Sequence, residues 1–495
     1  MSWSDAVSEL EKRTAAARAM GGADKIERHH AQSKLDARQR LSVLLDPGTF
    51  VEIGTLVGTV PADGVVTGHG LINGRPVMVG VEDFTVLGGS IGPGSAAKRF
   101  RIAELAGRER VPLVMVLEGA GHRPASIGEP HGRAPIDLQE QARLSGLVPI
   151  VTAVLGSSAG HGALIAPMSD FSIMSAGAAI FAAGPPVVKE SLGEAVTKAE
   201  LGGPQVAVTS GLINNVGPDD ASVLVDVRSY LSYFGSSAWS YPDSLVDRQD
   251  SGPRRLEDLV DVIPRDHAQP YDVRQVISRV VDGGSFFQIA PDFGDSIVCA
   301  LARLGGESVA VVANQPAVLA GAIDADAADK AAHFMAVADA FHLPLIFLTD
   351  NPGVLAGTES EQRAILRSGA RMYAAQNLAR VPKLQVTLRK AYGFGSMVMA
   401  MTSFSGQTIS VALPGVTLGA MGAAGTSRAV GADDEQAAKI ANAEEQSAYR
   451  LAAKMGFDEL IEPAEVRNVL LGSLRLSMSR RQAVAEPRTT STIWP

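Results

Sequence analysis

Short apolar runs separated by stretches of helical periodicity set the pattern of this chain. RPVMVGVEDF (Arg75–Phe84), VPLVMVLE (Val111–Glu118), VPIVTAVLG (Val148–Gly156) and DFSIMS (Asp170–Ser175) are short, β-rich and bounded by turn residues. Such runs predict buried strands. SAAKRFRIAELAGRER (Ser95–Arg110) and DKAAHFMAVADAFH (Asp329–His342) lie between strand runs and are Ala-rich, which predicts βα units. Near the start, SDAVSELEKRTAAARAM has helical spacing, with Ser4 as the expected N-cap. Three strand runs end in glycine clusters: LGGSIG, EGAG and GSSAGHGA. Glycines there let the backbone turn sharply and aim N–H groups outward, where they stabilise a developing anion.

The pattern occurs twice. LDARQRLSVLLDPGTFVEI, from Leu35, matches YDVRQVISRVVDGGSFFQI, from Tyr271, with Asp36, Arg38 and Phe50 recurring as Asp272, Arg274 and Phe286, an offset of 236 (272 − 36). Gly74, Gly89, Pro112 and Gly121 recur as Gly306, Gly321, Pro344 and Gly353, at an offset of 232. Pro149 and Gly160-His161-Gly162 recur as Pro382 and Gly393-Phe394-Gly395, at 233. Offsets this constant indicate a tandem duplication. The join falls in FGSSAWSYPDSLVDRQDSGPRR, which has linker composition, and RRQAVAEPRTTSTIWP at the end is expected to be a surface tail.

Composition narrows the function classes. With 495 residues, 46% of them hydrophobic, the chain can bury a sizeable core; length alone suggests about three domains, and the repeat suggests two. A net charge of −9 without a single-sign block argues against nucleic acid. One cysteine excludes a disulfide framework or a four-cysteine zinc ribbon. The charged start and short apolar runs predict no signal peptide and no membrane span, hence a cytoplasmic protein. No Walker loop, dinucleotide fingerprint, G-x-S-x-G elbow or biotinylation segment is present. His29-His30 lacks helical ligand spacing and is expected at the surface, and no metal site is expected.

RHHAQSKLDARQRLSVLLDPGTFVEI, VEDFTVLGGSIGPGSAAK, the run from ANQPAVLAGAIDADAADK to LIFLTDNPGVLAGTESEQ, and VPKLQVTLRKAYGFGSMVM resemble the carboxyltransferase (β) subunits of biotin-dependent acyl-CoA carboxylases, of the propionyl-CoA and methylcrotonyl-CoA type. The resemblance covers residues 25–465. It implies an α/β fold of two tandem crotonase-like domains, each a ββα spiral: 1–240 on the acyl-CoA side and 241–495 on the carboxybiotin side. It implies carboxyl transfer from carboxybiotin, on a separate carrier protein, to the α-carbon of an acyl-CoA. In that family the biotin ureido nitrogen takes the α-proton, and backbone N–H groups hold two oxyanions. The partners implied are a biotin carboxylase and biotin carboxyl carrier subunit and a homo-hexamer (a trimer of dimers), in some cases mixed with a paralogous β subunit; the site lies between halves of opposed protomers.

Carried onto this sequence, the catalytic positions are Gly160, His161, Gly162, Phe394 and Gly395. Those for biotin are Tyr392, Gly393, Gly353 and Met397, and those for the acyl-CoA are Gly88, Gly89, Gly119, Ala120, Gly121 and Arg123. His161 and Phe394 stand where the family has glycine, Met397 where it often has an acidic residue, and Ala207 where it often has histidine. These changes imply an altered acyl pocket, with Met397 as an apolar wall. His122, Arg123, His131 and Arg133 are either a CoA-phosphate site or a solvated loop. Because Phe394 has no acid–base capacity, the shared element is the backbone, and His161 is expected to donate from its main chain while its ring narrows the pocket. Alternatives are a biotin-dependent decarboxylase, a non-catalytic scaffold paralogue, and a crotonase-like enzyme without biotin in which His161 is the base.

Overall fold

The computed structural model describes residues 2–123, 136–247, 250–401, 406–488 and 493. The chain divides into two compact units, Met1–Ser240 with Glu486–Pro495, and Tyr241–Ala485. The last segment therefore groups with the first unit. Its Ile493 is buried, and the Ile493 N–H donates to Ser145 Oγ at 2.9 Å, so this residue is packed and is not part of a free surface tail.

In the first unit, strands β1 (Val51–Ile53), β2 (Val65–Ile72), β3 (Arg75–Glu82), β4 (Leu113–Leu117) and β5 (Ile150–Val154) run consecutively across a sheet. Strand β6 (Ser157–Ala159) leaves it. β7 (Phe171–Ser175) then pairs with β5, β8 (Ala179–Phe181) pairs with β6, and β9 (Asn215–Gly217) closes the sheet edge beside β7. β1 to β3 are antiparallel, and the rest of the sheet is parallel. Every residue of β4 is fully buried, as its unbroken apolar run requires. Each such valine or leucine contributes roughly 1.5–3 kcal/mol. The helix Pro93–Glu109 carries β3 back to β4. It starts at a proline, with Ser95 returning to the Gly92 N–H at 2.8 Å, and stops at Arg110 in a left-handed conformation.

The second unit repeats this order with β10 (Phe287–Ile289), β11 (Ile297–Leu304), β12 (Glu307–Asn314), β13 (Leu345–Asn351), β14 (Lys383–Tyr392), β15 (Ile409–Ala412), β16 (Thr417–Gly419) and β17 (Glu459–Leu460). β14 is one long strand covering the positions of both β5 and β6, and β16 pairs with its end as β8 pairs with β6. Ser157 and Ala159 face Ala179 and Phe181, while Lys390 and Tyr392, each 233 positions on (390 − 157), face Thr417 and Gly419. Both sheets therefore deliver a glycine turn at the same topological point.

The N-terminal helix differs from expectation at its start. It spans Trp3–Arg18 and is capped by Ser2, because Asp5 reaches back to the Ser2 N–H at 2.8 Å and completes a capping box that Ser4 would not form.

Candidate active site

The turn after β6 is built around Gly160, whose φ of +60° an L side chain rarely adopts. The Gly160 N–H donates to the Phe181 carbonyl at 3.1 Å, which anchors the turn to β8. That bond occupies one of the three N–H groups expected to face an oxyanion. The N–H groups of His161 and Gly162 make no hydrogen bond among the described residues. Two adjacent unpaired N–H groups at a strand end are the arrangement an oxyanion needs.

The second turn has the same plan. Gly393 has φ +54° and opens the helix Gly393–Val398, so the N–H groups of Phe394 and Gly395 lie in a first turn that offers them no intrahelical acceptor. Gly395 has no room for a side chain: a Cβ there would stand 2.4 Å from Asn351 Oδ1 and 2.8 Å from the Gly353 Cα. The Phe394 ring lies against Gly369. The Tyr392 hydroxyl is spent inside the unit, on Thr417 Oγ1 and Glu444 Oε1, both at 2.7 Å, and burial raises its pKa. Gly353 has φ +119°, and its N–H donates to Asn351 Oδ1 at 3.0 Å. Met397 is exposed at 38%.

The residues expected to touch acyl-CoA mostly hold the first unit's turns to one another. The Ala120 N–H donates to Gly88 O at 3.0 Å, the Ile91 N–H to Gly121 O at 2.7 Å and the Ala159 N–H to Gly119 O at 3.1 Å. Gly89 has φ +62° and sits against the Glu118 carbonyl, where a Cβ would be 2.4 Å away. The Arg123 guanidinium pairs with Asp63 at 2.8 Å and donates to the Ser90 carbonyl at 3.1 Å. Of the loop cluster, His131 and Arg133 lie outside the described residues, and the His122 ring meets the His161 ring edge-on, with centroids 5.1 Å apart.

Beside the first turn stands an ionic chain that sequence reasoning missed. His161 Nε2 lies 2.6 Å from Asp137 Oδ1, Arg99 Nε donates to Asp137 Oδ2 at 2.7 Å, and Arg99 Nη1 donates to Glu82 Oε1 at 2.5 Å. The other Glu82 oxygen accepts the Glu118 N–H at 2.8 Å. Asp137, Arg99 and Glu82 are each at most 2% exposed. Burial pushes the Asp137 carboxyl up, but the His161 hydrogen bond and the Arg99 guanidinium outweigh it and bring its pKa down to about 2. A carboxylate held in this way fixes the orientation of an imidazole.

A second buried cluster joins Glu118 to Lys34 and to Arg40 (2.7 Å), and Arg40 to Asp220 at 2.8 Å. His29, expected at the surface, is buried beside this cluster, with Nε2 3.2 Å from the Leu35 carbonyl. His30 is partly exposed and pairs with Asp36 at 2.9 Å. No cluster of metal-ligating side chains occurs among the described residues. Nor is any helix there long and apolar enough to cross a membrane.

Comparison with known proteins identifies the family of the chain. The carboxyl transferase domain family matches residues 28–490. The methylmalonyl-CoA carboxyltransferase 12S subunit of Propionibacterium freudenreichii subsp. shermanii is 35% identical over 500 residues, covering 96% of this chain and 95% of that protein. The propionyl-CoA carboxylase carboxyltransferase subunit of Haloferax mediterranei is 35% identical over 508 residues, covering 98% of each. Among solved structures, the transcarboxylase 12S hexamer with methylmalonyl-CoA and methylmalonic acid bound superimposes with a TM-score of 0.91 at 32% identity, covering 100% of this chain and 99% of that one. Matched over nearly its whole length in sequence and in fold, the chain belongs to the carboxyl transferase domain family and is a carboxyltransferase of the acyl-CoA carboxylation type.

Proposed function

We propose that the chain is the subunit that moves a carboxyl group from carboxybiotin, presented by a separate biotin carboxyl carrier, to the α-carbon of an acyl-CoA. The observation that carries this reading is the glycine turn built twice. Among the described residues each turn leaves two backbone N–H groups unpaired, at His161 and Gly162 in one unit and at Phe394 and Gly395 in the other. Two substrates that each develop an oxyanion need two such pairs. The first unit takes the thioester and the second takes the ureido oxygen of biotin. When bound, carboxybiotin supplies an activated carboxyl group, and the chain's own groups orient the acceptor and stabilise the enolate oxygen. Losing one donor of this kind costs about 3 kcal/mol of barrier.

Relatives are named for methylmalonyl-CoA and propionyl-CoA, which supports a short acyl-CoA as acceptor. The hexamer of the 12S structure supports a hexamer here, and a biotin carboxylase with its carrier is the partner the reaction requires. Met397, exposed beside the second turn, is an apolar surface on the biotin side. To test the function, the chain is purified with a biotinylated partner subunit, and bicarbonate fixation is followed across acetyl-, propionyl- and longer acyl-CoA. Fixation on at least one of them is expected. A chain that forms no complex with a biotinylated subunit and fixes no bicarbonate overturns the proposal.

A further inference from the structure

The ionic chain beside the first turn has no counterpart in the second unit, which builds the same turn without it. At an offset of 232 (314 − 82), Glu82, Arg99 and Asp137 correspond to Asn314, Ala331 and Gly369, and His161 corresponds to Phe394 at 233. Phe394 packs its ring on Gly369, the position Asp137 fills in the first unit. One unit thus holds the turn with an aromatic ring on a glycine. The other holds it with four ionisable groups, three of them buried, at the desolvation cost that buried charges carry.

The placement of the imidazole gives this expense a purpose. His161 carries both the unpaired backbone N–H and a ring whose Nε2 is bound to the Asp137 carboxylate. Nδ1 has no hydrogen-bond partner among the described residues, and the side chain is 17% exposed. The α-carbon of a thioester is one bond from the carbonyl carbon, so a base that reaches it stands beside the oxyanion donors. A side chain on the turn itself meets that condition.

We propose that His161 is a catalytic base of the acyl-CoA half-site, its Nδ1 taking the α-proton while Asp137 orients the ring and balances the imidazolium. The α C–H bond breaks, its electron pair passes into the enolate, whose oxygen is held by the His161 and Gly162 N–H groups, and the proton moves to Nδ1. The enolate carbon then bonds to the carboxyl carbon of the N-carboxy ureido donor. That donor's N–C electron pair goes to the ureido nitrogen, which receives the imidazolium proton. No oxidant or reductant is needed. Without a donor, the same step returns a solvent-derived proton to carbon. This inference rests on the acyl-CoA reading above, yet it makes a claim that carboxyl transfer alone does not: the chain enolises acyl-CoA without biotin.

The test is hydrogen exchange at the α-carbon of acetyl-, propionyl- and octanoyl-CoA in D₂O, with the full chain and no biotin, read by mass spectrometry. Exchange roughly 100-fold or more above the enzyme-free rate is expected. It should fall to that rate in His161→Phe, which copies the second unit's own residue, and at least about tenfold in Asp137→Asn. In His161→Gly, added imidazole should restore it, a readout that a merely structural histidine would not give. Wild-type exchange no faster than the blank overturns the proposal, whether or not carboxyl transfer occurs. Exchange that survives in a folded His161→Phe variant also overturns it. Exchange without any carboxyl transfer supports His161 as base and tells against the biotin reading.

Discussion

Gly395 and Gly162 occupy comparable places in the two turns, yet a single methyl group at each should have opposite consequences. In Gly395→Ala the new Cβ would stand 2.4 Å from Asn351 Oδ1 and 2.8 Å from the Gly353 Cα. Neither neighbour can give way cheaply. Asn351 Oδ1 accepts the Gly353 N–H at 3.0 Å, Asn351 Nδ2 donates to Asn314 Oδ1 at 3.1 Å, and both asparagines are fully buried. Overpacking costs about 1–3 kcal/mol, and an orphaned buried amide a further 1–3, so the loss should be at least about 2 kcal/mol. In Gly162→Ala the Cβ meets Glu82 Oε1 at 3.3 Å and Ile91 Cδ1 at 3.6 Å, and φ is −63°, which any residue adopts. That substitution should cost less than about 1 kcal/mol. Urea unfolding of the two variants beside the wild type measures the difference. Equal losses, or a larger loss in Gly162→Ala, would refute the packing argument.

Three further outcomes follow from single residues. The Asp137 pKa of about 2, against an ordinary 3.8, means that this group stabilises the fold above pH 3.8 and loses the contribution as pH falls toward 2. The contribution is worth about 2 kcal/mol, so the gap in urea midpoint between wild type and Asp137→Asn should narrow as buffers are taken from pH 6 to pH 3. Arg123→Ala should lower the unfolding free energy, read by urea unfolding, by about 1–3 kcal/mol, since its guanidinium holds Asp63 and the Ser90 carbonyl, and should change the acyl-CoA Kd, read by calorimetry, by less than roughly threefold. Cys299 is fully buried and its thiol is pushed up to about 12, so the native chain should resist a thiol reagent that titrates one group after unfolding.

The strands and the two turns were legible because their signals are local. β4 is an uninterrupted apolar run, and Gly160 and Gly393 sit where the left-handed backbone needs glycine. The repeat added the register at which the turns correspond. The role of the remaining glycines was less visible, since Gly89 and Gly395 are required by close backbone approach across loops that are far apart in sequence. The ionic chain was missed for the same reason: Glu82, Arg99 and Asp137 come from β3 and from two helices and meet only after folding. Its signal lay in the repeat all the same, as three charged residues replaced by Asn314, Ala331 and Gly369 in the other copy. The buried His29 shows the converse, because a histidine in a polar stretch gives no sign that Glu118 and Leu35 will enclose it.

The measurement that bears most directly on the central claim needs no partner subunit. The purified chain is given methylmalonyl-CoA or malonyl-CoA labelled in the free carboxyl group, with free biotin as acceptor, and formation of propionyl-CoA or acetyl-CoA is followed with and without biotin. Decarboxylated product that appears only with biotin, and that falls about 100-fold or more when an oxyanion turn is disrupted by Gly160→Val, is the predicted result. Product formed at the same rate without biotin, or no product from either thioester, would contradict carboxyl transfer as the activity of this chain.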